Sequence, residues 1–169
     1  MEHLWAPWRT KYVTGTNDGT LGACVFCEAA AATDDARRLI LRRGAHTMTI
    51  MNLYPYTNGH VMVVPFRHVA SLSDLTDEER LELINGATVA VEVMREVLRC
   101  DGHNVGMNLG RAAGAGIDAH LHIHVVPRWA GDTNYMTVVN DVRVISEAIE
   151  DTYGKMRGAY CARGLATEG

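Results

Sequence analysis

The chain has 169 residues, four cysteines and a formal net charge of −4. That length supports one domain with a core of its own and no disulfide staples, and the slight acidity argues against a non-specific nucleic-acid or membrane-surface binder while leaving room for a local positive pocket. No apolar run approaches the ~20 residues of a membrane span, and Met1–Arg9 carries no secretory core, so a cytoplasmic protein with neither nucleic-acid nor membrane partners is expected.

Residues 1–23 read as an N-terminal arm, with Trp5, Trp8 and Tyr12 as apolar anchors ahead of a turn-rich stretch. The single domain is expected over 24–160. Cys24-Val25-Phe26-Cys27 opens it as a knuckle leading into a short alanine-rich helix. Leu39–Arg43 and His46–Asn52 read as strands around Arg43-Gly44, and Leu53–Gly59 as a turn. His60–Pro65 is a β-branched strand that its proline ends.

Thr76 followed by Glu79 makes a capping box, and Asp77, Glu78 and Glu79 suit the positive end of a helix dipole. Leu83, Ile84, Ala87, Val91, Met94 and Leu98 recur at helical spacing, so a helix of about six turns packs one face on a sheet. Cys100-Asp101-Gly102 stops it, and His103–Leu109 returns to strand. Gly110–Ile117 is a small-residue loop, either a plain connection or a backbone that lets N–H groups approach an anion. After Trp129 come a strand over Met136–Val139 and a last helix that Asn140 or Asp141 caps, carrying Val144, Ile145, Ala148, Ile149 and Tyr153. Residues 161–169 read as a frayed tail. Short turns between strands point to an antiparallel α+β sheet with helices on one face and histidines on the other.

The chain is organised around Ala119–Trp129, where His120, His122 and His124 alternate with Leu121, Ile123 and Val125. A strand's period of two puts the histidines on one face and the aliphatic residues on the other. Such a face is a polar or metal-binding surface, or a catalytic strand. A neutral imidazole can attack phosphorus if one ring nitrogen is free and the other is fixed as N–H. His122, flanked on both sides, is the natural nucleophile, and His124 and His60 are candidates to orient it or to donate to phosphate oxygens. Cys24 and Cys27 suit a zinc knuckle, a redox pair or inert thiols. A closed zinc site needs two more ligands, for which His120 and His68 are candidates that spacing alone cannot select.

The run His120-Leu-His122-Ile-His124-Val-Val, with Asn58-Gly59-His60-Val61-Met62-Val63-Val64-Pro65, resembles the two hallmarks of the histidine triad family, and the likeness covers about residues 24–129. It implies a five-stranded antiparallel sheet with one long and one C-terminal helix, joined as a homodimer, and nucleotidyl transfer or hydrolysis on a nucleoside phosphate. By that resemblance His122 is the nucleophile and His60 and His124 support it. Asn52 falls on a ribose-binding position and Asn108 beside the phosphates, with Gly114, Ala115 and Gly116 in the substrate loop. Zinc-bearing members imply a structural Zn²⁺ held by Cys24, Cys27, His68 and His120.

Leu4–Arg9, Asn52-Leu-Tyr-Pro-Tyr and Pro127–Asn134 look like the bacterial branch that contains diadenosine tetraphosphate phosphorylases. Fragile-histidine-triad hydrolases carry a glutamine four residues before the first triad histidine, where this chain has Gly116. Losing that amide weakens the case for water as acceptor and leaves room for inorganic phosphate. The expected reaction is therefore phosphorolysis of a dinucleoside polyphosphate, with hydrolysis of such nucleotides or of nucleoside phosphoramidates as the alternative. A zinc-stabilised nucleotide-binding protein with little turnover is the reading from another class.

Overall fold

The computed structural model describes residues 24–132 and 147–166. Five strands, β1 (Ile40–Arg43), β2 (Thr47–Met51), β3 (Val61–Pro65), β4 (Gly102–Gly106) and β5 (Ile123–Arg128), form one sheet in the order β1-β2-β3-β5-β4. Every neighbouring pair is antiparallel. Helices α1 (Val25–Ala31), α2 (Asp35–Arg38), α3 (Asp77–Leu98) and α4 (Ile149–Ala162) complete the described fold. This is the α+β architecture the strand and helix patterns predict.

The alternation expected of the strands sorts the core into two clusters. Val61 and Val63 of β3, with Leu121, Ile123 and Val125, pack under α3 and α4. Met62 and Val64 join Met48 and Ile50 on the opposite face. That second face is not left to histidines alone, because Phe26 and Ala29 of α1 bury against it. The short helix therefore roofs half of the face that carries the chemistry.

The capping box on α3 forms as its residues predict. Thr76 Oγ1 accepts from Glu79 N–H at 3.3 Å, and Glu79 Oε2 accepts from Thr76 N–H at 2.8 Å. The Arg67 guanidinium also grips both Glu79 oxygens at 2.6 Å, and that pairing holds the carboxyl down to about 2. The buried face of α3 holds the predicted Leu83, Ala87 and Met94 together with Gly86, Ala90 and Val93, with Val91 and Leu98 packed against its margin, while Ile84 is 56% exposed. Small residues let the helix approach closely, since a Cβ on Gly86 would lie 2.8 Å from Val63 Cγ1.

Three further boundaries differ from expectation. β4 ends at Gly106, the last residue paired with β5, opposite His124, so Met107–Leu109 lie outside the strand. β5 begins at Ile123, so only His124 of the three histidines belongs to the ladder, while His120–His122 are its lead-in, tied by Leu121 N–H to Val69 O at 2.7 Å. α4 starts at Ile149 with Ala148 as its extended flanking residue. It runs through Ala162 because Thr152, Met156 and Tyr160 dock one face into the core, so Cys161 is helical and not part of a frayed tail. The arm 1–23, the expected strand Met136–Val139, the caps Asn140 and Asp141, and Val144 and Ile145 lie outside the described residues.

Replacing Thr76 by Ala removes one half of the capping box and is expected to cost about 1 kcal/mol of stability. Urea unfolding of the variant against the wild-type chain measures it.

Candidate active site and metal centre

Antiparallel pairing of β3 with β5 sets Met62 opposite His124. It thereby brings the residues that flank β3, His60 before it and His68 after it, against the histidine segment. At the far end of β3, four ligand atoms from Cys24, Cys27, His68 and His120 all lie within 4.8 Å of one another. Cys24 Sγ is 3.2 Å and Cys27 Sγ 3.7 Å from His120 Nδ1, and Cys27 Sγ is 3.3 Å from His68 Nδ1. A tetrahedron with metal–sulfur bonds of about 2.3 Å and metal–nitrogen bonds of about 2.0 Å has sulfur–nitrogen edges of roughly 3.5 Å. The cluster thus has the spacing of a closed metal site. His120 Nε2–H donates to Pro65 O at 2.9 Å, which leaves Nδ1 with the lone pair a metal needs. Burial and the adjoining Cys24 thiol push the Cys27 thiol upward, a cost that a bound cation relieves.

Next along the segment, His122 is buried and its Nδ1 lies 2.8 Å from His120 O. A carbonyl only accepts, so Nδ1 carries the hydrogen and Nε2 keeps its lone pair. Burial lowers the His122 pKa, which favours that neutral, nucleophilic form.

The third histidine is set by a different chain of bonds. Tyr56 N–H donates to His60 Nδ1 at 3.2 Å, with Asn52 Nδ2 also 3.2 Å from that atom. His60 Nδ1 is therefore an acceptor, and its Nε2–H donates to His124 Nδ1 at 2.9 Å. In neutral His124 the remaining hydrogen then sits on Nε2. Burial, reinforced by His124 and His122, holds the His60 pKa down at about 3. The rings of His122 and His124 meet edge-on with centroids 4.7 Å apart, closer than their backbone spacing.

The group that orients His122 is the main-chain carbonyl of His120, whereas His60 orients His124. Asn52 lies against His60, and its Oδ1 also accepts from Tyr54 N–H at 3.0 Å, shaping the turn that delivers Tyr56. Asn108 lines a cleft of about 270 Å³ with Tyr56, Asn104, His124, Val126 and Arg128. Gly114, at φ +87°, and Ala115 lie in a loop whose bonds run within itself, Gly114 N–H to Arg111 O and Ala115 N–H to Gly110 O. Arg111 and Asp118 clasp that loop at 2.8 Å. Gly116 continues it toward the histidines.

Two residues escaped the sequence reading. Tyr56 packs its ring 4.6 Å from His60, and Phe26 lies 5.1 Å from His122. Tyr56 sits in the turn that feeds His60. Phe26 sits between the two knuckle cysteines, and placing those thiols at His120 carries it along.

These features define a histidine triad protein: the HIT domain matches residues 36–131, and the chain belongs to that family. It is 40% identical over 158 residues to the AP-4-A phosphorylase of Mycobacterium tuberculosis, covering 90% of this chain and 80% of that one. It is 35% identical over 110 residues to the asymmetrical bis(5'-nucleosyl)-tetraphosphatase of Schizosaccharomyces pombe, covering 65% of this chain and 57% of that one. Among solved structures, a Zn-bound histidine triad family protein from Mycobacterium smegmatis superposes with a TM-score of 0.68 at 27% identity, over 86% of this chain and 98% of that chain.

Because folded His60 resists protonation until about pH 3, the unfolded chain binds more protons between that value and about 6.5. Stability contributed by neutral His60 is full above about pH 6.5 and falls on acidification, by at most about 1.4 kcal/mol per pH unit. The His60→Gln variant is expected to show a shallower loss across that window when urea midpoints are compared pH by pH.

Proposed function

We propose that this chain is an enzyme that transfers a nucleotidyl group from a dinucleoside polyphosphate, diadenosine tetraphosphate foremost, and hands it to inorganic phosphate. The observation that carries the proposal is the free Nε2 of His122, buried, neutral and fixed by the His120 carbonyl, in a chain related to a phosphorylase of that nucleotide over most of its length.

The Nε2 lone pair of His122 attacks the α-phosphorus of one nucleoside. The bond from that phosphorus to the bridging oxygen breaks, the oxygen takes the electron pair, and ATP departs from diadenosine tetraphosphate. Phosphate oxygen then attacks nucleotidyl-His122 in line, the phosphorus–nitrogen bond breaks, and ADP leaves with the imidazole restored. His124 Nε2–H stabilises charge on the phosphate oxygens, and His60 holds His124 in the tautomer that donates. Asn52 takes the ribose, and Asn108 with the Gly114-Ala115-Gly116 loop takes the phosphate chain. Positioning and charge stabilisation do most of the work in such displacements.

Cys24, Cys27, His68 and His120 hold Zn²⁺ in this reading. Two thiolates and two imidazoles suit zinc, and a closed four-ligand set is structural. β4 forms one edge of the described sheet, and Val105 on it is 52% exposed, which supports pairing with a second copy across a two-fold axis as a homodimer. Free thiols at all four cysteines suit a reducing cytoplasm.

His122→Asn is expected to fold and to cut turnover of diadenosine tetraphosphate below about one-thousandth of wild type; retained turnover would refute the nucleophile. With phosphate present the products are expected to be ADP and ATP. AMP and ATP in amounts indifferent to phosphate would make the enzyme a hydrolase, as the relationship to the tetraphosphatase allows. Nucleotide binding with no product would leave a binding protein.

Metal analysis of chain purified without added zinc is expected to give about one zinc per chain. Cys24→Ser should lose most of it, and a metal-free wild-type chain of full stability would overturn the site.

A further inference from the structure

The knuckle carries more than two thiols. Phe26 is 2% exposed and projects from between Cys24 and Cys27 onto the histidine segment. Its ring meets that of His120 edge-on at 5.3 Å and that of His122 at 5.1 Å with a 52° tilt. The same His120 supplies the carbonyl that takes His122 Nδ1–H. His122 is therefore touched by His120 of the cluster through a main-chain oxygen, and by Phe26, which lies between two cluster cysteines, through an aromatic ring.

One hydrogen bond does not aim an imidazole. The second side-chain torsion of histidine is broad, and a ring held at Nδ1 alone can pivot about the Nδ1···O axis, swinging Nε2 off line. Packing between the Phe26 ring on one side and the His124 ring on another opposes that pivot. Phe26 in turn is held by α1, a helix of seven residues, too short to be stable alone. At its C-terminal end the Arg43 guanidinium donates to Ala29 O, Ala30 O and Ala32 O. At its N-terminal end the anchors are Cys24 and Cys27 in the four-residue cluster.

The geometry points to Phe26 as a positioning residue for nucleotidyl transfer, locked by the metal cluster so that Phe26 and the His120 carbonyl together aim His122 Nε2 at phosphorus. The inference rests on the nucleotidyl-His122 reading above. It makes the metal centre part of the aiming of the nucleophile and not a remote staple.

The test uses the full chain with Phe26→Leu, which keeps apolar fill and removes the flat ring. Metal content is expected to stay near one per chain and KM within about twofold, while kcat falls about tenfold to a hundredfold, the scale of a small misplacement of reacting atoms. NMR relaxation of the His122 ring carbons should show added ring motion, while the Nδ1–H tautomer fixed by the His120 carbonyl persists. Wild-type kcat with a wild-type ring signature would overturn the inference. Wild-type chain stripped of metal by a chelator, with its fold verified by circular dichroism, is expected to show the same added ring motion. An unaltered His122 signature there would overturn the role of the cluster, and this arm decides alone if Phe26→Leu does not fold. If chelation unfolds the chain, the Leu variant decides, with Phe26→Met in reserve. Failure of the wild-type enzyme to form nucleotidyl-His122 would instead overturn the functional reading, leaving the ring signature as a separate result.

Discussion

The whole site depends on how completely His120 is used. Its Nε2–H goes to Pro65 O, its Nδ1 faces the knuckle thiols, and its main-chain carbonyl takes the His122 hydrogen. Each commitment excludes an alternative that would spoil the next. Were Nδ1 the protonated nitrogen, it could not ligate a metal. Were the backbone rotated, His122 would lose the acceptor that fixes its tautomer. One fully buried residue thus joins the strand β3, the knuckle and the proposed nucleophile, and the cost of burying its polar atoms is offset because each has a partner.

The sheet order makes this convergence available. β3 lies beside β5, although the long helix and β4 separate them in sequence. Antiparallel pairing then sends opposite ends of β3 to different tasks. His68, just past the end marked by Pro65, reaches the metal cluster, whereas His60, just before Val61, reaches His124. The small Gly86-Ala87-Ala90 seam lets α3 press on Val63 from behind, so the strand that carries both ends cannot drift. Core packing on one face therefore underwrites the spacing of polar groups on the other.

Local patterns were readable where they rest on local physics. The two-residue period placed Leu121, Ile123 and Val125 inward, and the capping box placed the start of α3. The pairing of His68 with Cys27 was not readable from spacing, because 41 residues separate them and only the β3–β5 register brings them together; family likeness pointed to it. The orienting role of the His120 carbonyl was hidden because every residue has a carbonyl and no side-chain pattern marks the one that matters. Phe26 was hidden for the opposite reason: an aromatic residue in the first turn of a short helix reads as ordinary core. On α3 Ile84 alone was misplaced, because hydrophobic spacing counts it equally with Ala90, whereas close approach to a sheet rewards the smaller side chain.

The alternation of three histidines also acquires a physical meaning beyond sharing a face. Two-residue steps along an extended segment move about 6.5–7 Å, so each histidine meets a different set of neighbours. His120 falls among thiols, His122 against a carbonyl and a phenyl ring, and His124 against His60 and the open cleft. Burial loosens in the same direction, from fully buried His120 to partly exposed His124. A metal ligand gains from exclusion of water, a nucleophile from being neutral yet reachable, and a phosphate donor from facing the substrate. A graded environment along one straight segment supplies all three, so identical side chains acquire different roles without any change in residue type.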